Sequence, residues 1–470
     1  MSPRPSPDSR SVQRAVFFVA TLSSFLGPFM GSSVNVALPS MGRDLAMTAI
    51  LLGWVNMAYL LAGAAFAIPF GRLGDIYGRK KIFVAGVAVF SLASVSVATA
   101  GTAVAVILSR VVQGFGAAMI FSTGMAILIS VFPANQRGRV LGINVAAVYL
   151  GLSSGPFVGG IITQHLGWRF LFWLNLPIGL VLLLVALIMM KGDFAEDQEA
   201  RFDFVGALLM GPALVATMYG FSQLPSARGF GLVGVGVALL AGFALHELRT
   251  PEPVIDVRLF RQNTVFALSS LAALINYAAT FAVAFLLSLY LQKVRHLSPQ
   301  EAGLVLVSQP IVQAVLSPLA GRLSDRVESR IVATVGMGVV LVGLILLNFV
   351  GLDTSLPYVL GCLGLLGVGF ALFSSPNTNA IMGSVERPIY GVASAVVSTM
   401  RQVGMTVSMG IVMMVFAAHL GQAEISSRNL GAFVATMRTV FTVCAVLCFA
   451  GIFASLARGK ARDEATSGGM

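Results

Sequence analysis

The sequence has few charged residues. Only 10% of its 470 residues are Asp, Glu, Lys or Arg, and 57% are hydrophobic. Soluble domains carry about 25% charged residues, so this composition excludes an ordinary soluble protein and predicts a surface that faces lipid. Although 30 Lys and Arg outnumber 19 Asp and Glu, the basic residues form no dense cluster. We therefore expect no nucleic-acid partner.

Cysteine is also scarce. Cys362, Cys444 and Cys448 all lie within apolar runs, where cysteine packs as a small hydrophobic side chain. We predict no disulfide and no metal site. The glycine-rich stretch "GFGLVGVG" at 229–236 lies inside an apolar run and lacks the strand-turn-helix context of a nucleotide loop. No nucleophile with a base occurs at usable spacing, so we expect neither an enzyme nor a cofactor.

What the sequence has is long apolar runs. A bilayer core about 30 Å thick needs about 20 apolar helical residues. Fourteen such runs occur, at 15–38, 50–70, 82–100, 103–131, 138–163, 171–190, 204–224, 229–247, 264–291, 301–318, 331–351, 357–376, 391–418 and 433–457. An even number of spans places both termini on one side of the membrane.

The distribution of basic residues predicts the orientation. Loops on the side of the termini hold twenty-one Lys and Arg, and the opposite loops hold seven. Because cytoplasmic loops are enriched in Lys and Arg, we expect both termini in the cytoplasm and the chain in the plasma (inner) membrane. The first apolar run is too long for a signal-peptide core and should remain as the first span.

A short motif occurs twice. "GRLGD" at 71–75 recurs as "GRLSD" at 321–325, each time after the second span of a group of six. The repeat predicts an N-terminal six-helix bundle at 1–191, an inserted helix pair at 192–263 and a C-terminal six-helix bundle at 264–470. Two parallel halves with substrate bound between them at mid-membrane are a transporter architecture.

The first copy of the motif is part of a longer signature. "GRLGDIYGRKK", from Gly71 to Lys81, resembles the loop signature of the major facilitator superfamily. The resemblance implies that an aspartate is held against the N-terminus of a helix from the opposite half, where unpaired N–H groups attract a carboxylate. The predicted cytoplasmic gate comprises Gly71, Asp75, Gly78, Arg79, Asp325 and Arg326.

Two further motifs lie within spans. "RVVQGFGAA", beginning at Arg110, resembles the fourth-span motif of the superfamily, and "GLSSGPFVGG" at 151–160 resembles the fifth-span motif of its antiporter-type exporters. A cation within a span should face a wet cavity or a partner, and Gln113 lies one turn away. The fifth-span helix should approach a neighbour closely along one face and bend, through Gly151, Gly155, Gly159 and Pro156.

Three more stretches narrow the resemblance. "VNVALPS" at 34–40, "WRFLFWLNLPIG" at 168–179 and "SPQEAGL" at 298–304 are similar to the fourteen-span drug:proton antiporter (multidrug efflux) branch. This implies an all-α membrane protein with the superfamily fold, in which 14 transmembrane helices form two pseudo-symmetric six-helix bundles plus an inserted helix pair. It also implies an efflux antiporter that works by alternating access.

The sequence departs from that branch at one position. The branch carries an acid five residues before Asn35, and this chain has Met30 there. No Asp or Glu lies near the middle of a run, and the possible coupling acids near run ends are Asp44, Glu247 and Glu301. Since Arg110 and Arg401 do lie within runs, an anionic, zwitterionic or neutral compound suits the interior better than a quaternary ammonium drug.

We expect a cavity lined by polar and adaptable side chains from several spans. The candidates are Met30, Asn35, Asn56, Tyr59, Arg110, Gln113, Asn144, Asn276, Gln309, Gln313, Arg401 and Gln402. The expected partners are a small-molecule substrate, the lipid bilayer and protons, with the chain acting as a monomer.

Three functions remain open at this point. The first is an exporter of small amphipathic organic compounds coupled to protons. The second is a facilitator or exporter of a lipid-like, anionic or neutral metabolite that is not coupled through an intramembrane carboxylate. The third is a non-transporting membrane sensor, against which the lack of a long soluble domain argues.

Overall fold

All regular secondary structure in the part that the structure describes is helical. This structure is a computed structural model, and it describes residues 10–190, 203–250, 257–324, 326–385, 390–421 and 423–458. The helices are α1 (Arg10–Asp44), α2 (Ala49–Tyr77), α3 (Arg79–Thr99), α4 (Ala103–Val131), α5 (Ala134–His165), α6 (Trp168–Trp173), α7 (Asn175–Met189), α8 (Phe204–Gln223), α9 (Ala227–Glu247), α10 (Val257–Gln262), α11 (Thr264–Lys293), α12 (Pro299–Leu306), α13 (Ser308–Ser324), α14 (Ser329–Leu347), α15 (Leu356–Gly383), α16 (Tyr390–His419) and α17 (Leu430–Ala457).

Fourteen spans in the described residues are long and apolar enough to cross a membrane, which confirms the predicted number. Helical backbone satisfies its own hydrogen bonds, so an apolar helix is a structure that can cross lipid. Most helices extend past the predicted limits. The first, predicted at 15–38, runs from Arg10 to Asp44, because a helix continues beyond the apolar core wherever its ends meet water.

Two spans are broken, which the apolar runs alone do not predict. One consists of α6 followed by α7, and the other of α12 followed by α13. Each break lies just before a proline: Pro177 has no N–H for the carbonyl of Trp173, and Pro310 has none for that of Leu306. These two carbonyls belong to the last residues of α6 and α12. Pro177 and Pro310 were therefore the residues in the sequence that could have predicted the two breaks.

The repeat seen in the sequence is also a repeat of helix packing. A Cβ on Gly86 of α3 would lie 3.0 Å from the carbonyl oxygen of Gly116 in α4. A Cβ on Gly336 of α14 would likewise lie 2.8 Å from the carbonyl oxygen of Gly369 in α15. Gly336 follows Gly86 by the same interval that separates the two motifs at 71 and 321. Both halves of the sequence thus contain the same glycine-lined helix crossing.

The helices pack into two compact units. Unit 1 comprises Met1–Val254, Ala282–Val307 and Met409–Met437, and unit 2 comprises Ile255–Phe281, Ser308–Ser408 and Arg438–Met470. We call the membrane face at which α1 ends the distal face. Unit 1 therefore joins the N-terminal helices with the distal ends of α11 and α16, with α12, and with the first turns of α17. The predicted domain limits at 191 and 263 stay a prediction.

Candidate functional site

A buried arginine connects the helices of unit 1. Arg110 of α4 is 1% exposed, and its Nε donates a 2.9 Å hydrogen bond to the carbonyl oxygen of Val55 in α2. Its Nη1 donates to Gln113 Oε1 at 2.6 Å, and its guanidinium lies 4.3 Å from the ring centre of Tyr59. A cation removed from water needs such partners. Here protein groups supply them.

The hydrogen bonds continue into α3 and α7. Gln113 Nε2 donates to Ser94 Oγ at 2.6 Å, and Asn175 Nδ2 donates to the same oxygen at 3.2 Å. Both ends of the Gln113 amide are therefore occupied. Ser94 and Asn175 were missed by the sequence analysis. A polar residue inside an apolar run was the signal for each, and Asn175 lies within the quoted stretch "WRFLFWLNLPIG".

Two other predicted cavity residues also bind each other. Asn56 Nδ2 of α2 donates a 2.6 Å hydrogen bond to Asn35 Oδ1 of α1, and both side chains are buried. Met30, on the same helix, is fully buried. The hydrogen bond between Asn56 and Asn35 therefore links α2 to α1 within unit 1.

Two asparagines differ from this pattern. Asn144 of α5 lies in unit 1 and is 1% exposed, and Asn276 of α11 lies in unit 2 and is 0% exposed. Neither the oxygen nor the nitrogen of either amide has a hydrogen-bond partner among the described residues. The Tyr59 hydroxyl is also buried without such a partner. An unsatisfied buried polar group costs about 1–3 kcal/mol, so these groups are candidates for binding a ligand.

The remaining cavity candidates lie in unit 2. The Arg401 guanidinium of α16 is half-buried, 5.2 Å from the ring centre of Tyr277. Gln402 and Gln309 are half-buried and Gln313 is buried. Unit 2 therefore has a cation beside an aromatic ring and three amide side chains.

The predicted gate contains an ion pair. Arg79 Nε, at the start of α3, donates to Asp75 Oδ1, near the end of α2, at 2.8 Å. Gly78, between α2 and α3, has φ 109°, a left-handed conformation that favours glycine. A Cβ on Gly71 would lie 3.7 Å from Ser122 Cβ. Arg326 is exposed, and Asp325 lies outside the described residues.

The glycine face of α5 packs on α1. A Cβ on Gly151 would overlap the carbonyl oxygen of Phe25, and one on Gly159 would lie 2.8 Å from Ser33 Cα. Ser33 Oγ donates to the Gly155 carbonyl oxygen at 3.0 Å. The four-residue spacing predicts a close approach along this face, and the structure identifies α1 as the neighbour.

A second glycine contact joins α5 to α12. A Cβ on Gly160 would lie 2.5 Å from the carbonyl oxygen of Pro299, and one on Gly303 would overlap the carbonyl oxygen of Pro156. The fifth-span motif thus meets the "SPQEAGL" stretch within unit 1. The sequence alone does not predict this pairing.

Two of the three candidate coupling acids are exposed at helix ends. Asp44 Oδ2 accepts from Trp168 Nε1 at 2.8 Å and from Arg169 Nη1 at 3.3 Å. Glu301 forms a capping box with Ser298, whose N–H donates to Glu301 Oε2 at 2.8 Å. Both carboxylates therefore have local partners at helix ends.

The third acid is buried among other titratable groups. Glu247, the last residue of α9, is 1% exposed. A Cβ on Gly206 would lie 2.7 Å from Glu247 Oε1 and would overlap Asp203 Oδ2, so the two carboxylates flank this glycine. His246 Nε2 lies 3.0 Å from Asp203 Oδ1. Within the described ranges, no group of three or more His, Cys, Asp and Glu side chains could hold a metal ion.

Comparison with known proteins decides the family. The family model described as Major Facilitator Superfamily matches residues 20–246 and 269–469. The chain belongs to this superfamily. It is therefore a multi-pass membrane transporter, and the two matched segments cover both halves of the sequence repeat.

Relatives within the superfamily have names that describe different substrates. The riboflavin transporter RibZ of Clostridioides difficile is 28% identical, over 96% of this chain and 99% of that protein. The multidrug resistance protein Stp of Mycobacterium tuberculosis is 32% identical, over 82% of this chain and 73% of that protein. The tetracenomycin C resistance and export protein of Streptomyces glaucescens is 28% identical, over 89% and 77% respectively. Proteins named for drug resistance or export and a protein named as a riboflavin transporter are thus both among its relatives.

Proposed function

We propose that this transporter exports small amphipathic organic compounds from the cytoplasm by alternating access, in exchange for protons. The similarity to Stp and to the tetracenomycin C export protein supports export. The excess of Lys and Arg in the loops on the side of the termini supports cytoplasmic termini in the plasma membrane. The gate and cavity residues named above are part of this proposal.

The distribution of charge supports an uncharged or anionic substrate. Arg110 and Arg401 lie within spans, whereas every Asp and Glu in the described helices lies in the first or last turn. A cationic drug in such an interior would meet no opposing carboxylate at mid-span, and a desolvated charge is costly without one. The interior therefore favours compounds that accept hydrogen bonds.

The unpartnered amides of Asn144 and Asn276 are the observation that carries the substrate class. An asparagine amide offers one acceptor and one donor group, which pair with carbonyl, imide or hydroxyl groups of an organic compound. A ligand that satisfies either amide gains affinity, because binding removes the cost of leaving that amide unpaired. Purely apolar compounds would gain nothing from them.

Riboflavin is the second candidate substrate. The similarity to RibZ extends over nearly the full length of both proteins. Riboflavin is uncharged at neutral pH and carries an imide on its aromatic ring system and hydroxyl groups on a polyol side chain. It therefore suits the same interior.

For proton coupling, the buried Glu247 is the candidate among the three acids. Coupling needs a group that is held away from water and whose proton affinity changes between states. Asp44 and Glu301 are exposed, whereas Glu247 is buried beside Asp203 and His246. This assignment places the coupling group in the inserted helix pair.

Uptake into proteoliposomes tests the proposal. The probes are riboflavin, the anion anilinonaphthalene sulfonate and the cation tetraphenylphosphonium, each with an imposed pH gradient and after its collapse by nigericin. We expect uptake of the first two, with a fall on collapse, and little uptake of the cation. Preference for the cation would refute the substrate class, and uptake independent of the gradient would refute antiport. Protein-free liposomes are the control.

A further inference from the structure

A proline in the first span leaves a carbonyl without its helical donor. Pro39 lies inside α1, five residues before the helix ends at Asp44. Proline has no N–H, so the carbonyl four residues earlier, that of Asn35, cannot receive the usual helical hydrogen bond. In an apolar surrounding such a carbonyl needs another donor.

Helix α11 supplies that donor. Ser288 Oγ donates a 2.6 Å hydrogen bond to the Asn35 carbonyl oxygen, and Gln292 Nε2 donates at 2.9 Å to the next carbonyl, that of Val36. Ser288 and Gln292 lie one turn apart on one face of α11, and Gln292 Nε2 is also 3.2 Å from Ser288 Oγ. We call these two side-chain bonds to α1 the clasp.

The position of the clasp gives it a meaning for transport. All of its residues belong to unit 1, and Gln292 lies one residue before the end of α11. The clasp therefore ties the distal end of α1 to the distal end of α11, the helix with which the second half of the repeat begins. The clasp consists of two side-chain hydrogen bonds, which can break and re-form.

Asn35 extends the clasp to a third helix. Its backbone carbonyl accepts from Ser288, while its side-chain oxygen accepts from Asn56 of α2. Helices α1, α2 and α11 thus meet at one buried residue. Any movement of α11 away from α1 must expose this carbonyl or give it a new donor.

We propose that the clasp is the gate of the distal face, closed in this structure and opened once in each transport cycle, and that Pro39 provides its acceptor. Ser288 and Gln292 are positioning residues: they hold the helix ends together and touch no substrate. This inference rests on the proposed transport function. It adds Ser288 and Gln292, which lie outside every quoted motif.

A double-mutant cycle tests the role of Pro39. The variants are Ser288→Ala, Pro39→Ala and both together, and the readout is amide hydrogen exchange followed by mass spectrometry in the absence of any substrate. Ser288→Ala should speed exchange at 30–44 and 284–297 roughly fivefold, because one hydrogen bond that closes the gate is lost. With Pro39→Ala, the new N–H serves the Asn35 carbonyl, so Ser288→Ala should then have little effect. Equal effects in both backgrounds, or none in either, would refute the clasp.

Two controls separate a gate from ordinary packing. Thr280→Val removes a hydroxyl of α11 that bonds within its own helix, to the Asn276 carbonyl oxygen, and should leave exchange at the distal ends unchanged. Ser288→Thr keeps the donor and should restore slow exchange. Should Ser288→Ala fail to fold, Gln292→Leu must give the same change in direction at the same two segments, and its failure to do so would overturn the proposal.

The transport assay separates this inference from the function on which it rests. If the double-mutant cycle shows coupling between Pro39 and Ser288 while proteoliposomes carry none of the three probes, the clasp stands and the proposed function fails. If transport occurs and the two substitutions act independently, the function stands and the clasp fails.

Discussion

Arg458 donates a 2.6 Å hydrogen bond from Nη1 to Asn377 Oδ1, which joins the end of α17 to α15 within unit 2. The same guanidinium donates to Ser269 Oγ at 3.1 Å and to Ser455 Oγ at 2.9 Å, and the side chain is 1% exposed. Burial, and after it the nearby Arg330, lower the pKa of Arg458 to about 10. The group therefore stays charged at neutral pH, held by uncharged acceptors.

Replacing Arg458 by Met should destabilise the protein. The change leaves Asn377 Oδ1 and Ser269 Oγ buried without this donor, at about 1–3 kcal/mol for each unsatisfied group. Arg458→Lys should recover only part of the loss, because a single ammonium cannot reach acceptors on three sides. The measurement is the Tm of the purified protein in detergent.

The control for this prediction is Arg428→Met, at an exposed loop position, which should leave the Tm unchanged. The folded pKa of Arg458 is lower than its ordinary value, so the cost of burying its charge is constant below about pH 10 and is relieved only above it. The Tm difference between wild type and Arg458→Met should therefore be the same at pH 6 and pH 8. A Tm difference that changes between pH 6 and pH 8 would contradict a buried Arg458 that stays charged over this range.

Arg110 and Arg401 should respond differently to replacement by Gln. Arg110→Gln removes donors to Val55 and Gln113, so it should lower the Tm and reduce uptake of riboflavin and of anilinonaphthalene sulfonate equally. Arg401 is half-buried beside Tyr277, and Arg401→Gln should spare the Tm. It should reduce uptake of the anion roughly tenfold more than that of riboflavin, the effect of one hydrogen bond to a charged group. Equal loss of both probes in Arg401→Gln would indicate a structural role.

The unpartnered asparagines predict a gain of stability with a loss of function. Asn276→Leu and Asn144→Leu remove buried amides that have no hydrogen-bond partner in the described residues. Each should therefore raise the free energy of unfolding by about 1–2 kcal/mol, and with it the Tm. Each should also weaken uptake of riboflavin. Asn56→Leu is the matched control: it deprives Asn35 Oδ1 of its donor and should lower the Tm. A lower Tm for Asn276→Leu would mean that its amide serves the fold.

Apolar run length predicted the number of spans, because the thickness of the bilayer fixes how many apolar residues a helix needs. Arg458 lies one residue past the last apolar run, at 433–457, where a loop cation is expected, whereas the structure buries it against Asn377 and Ser269. These partners lie 81 and 189 residues away along the chain, and one sequence does not show which distant positions meet.

The candidate site shows the same limit. Asn56 and Asn144 are both asparagines in apolar runs, yet Asn56 has a partner and Asn144 has none among the described residues. The difference depends on the direction in which each helix turns its side chains. Periodicity does not fix that direction when nearly every position of a span is apolar.

The glycine contacts of α5 predict which glycines cannot be replaced by a larger residue. Gly151→Ala would force a methyl group into the carbonyl oxygen of Phe25, and Gly303→Ala into that of Pro156. Backbone cannot rotate away as a side chain can, so both variants should lose several degrees of Tm or fail to express, as overpacking costs about 1–3 kcal/mol. Gly338→Ala, on α14, meets no atom within 4 Å and should be neutral or stabilising. A neutral Gly151→Ala would mean that α1 and α5 separate easily.

Proton coupling through Glu247 predicts a separation of exchange from driven transport. Glu247→Gln keeps the size of the side chain and removes its ability to give up a proton. Uptake of riboflavin should therefore lose its response to the pH gradient, while exchange of riboflavin between equal pools on the two sides continues. Glu301→Gln is the control, because that carboxylate is exposed and a Gln at this position can still accept from the Ser298 N–H, so both the response to the gradient and the stability should stay close to those of the wild type. If Glu247→Gln keeps a full response to the gradient, the coupling group lies elsewhere; if it also stops exchange, the carboxylate is needed for the fold or for substrate.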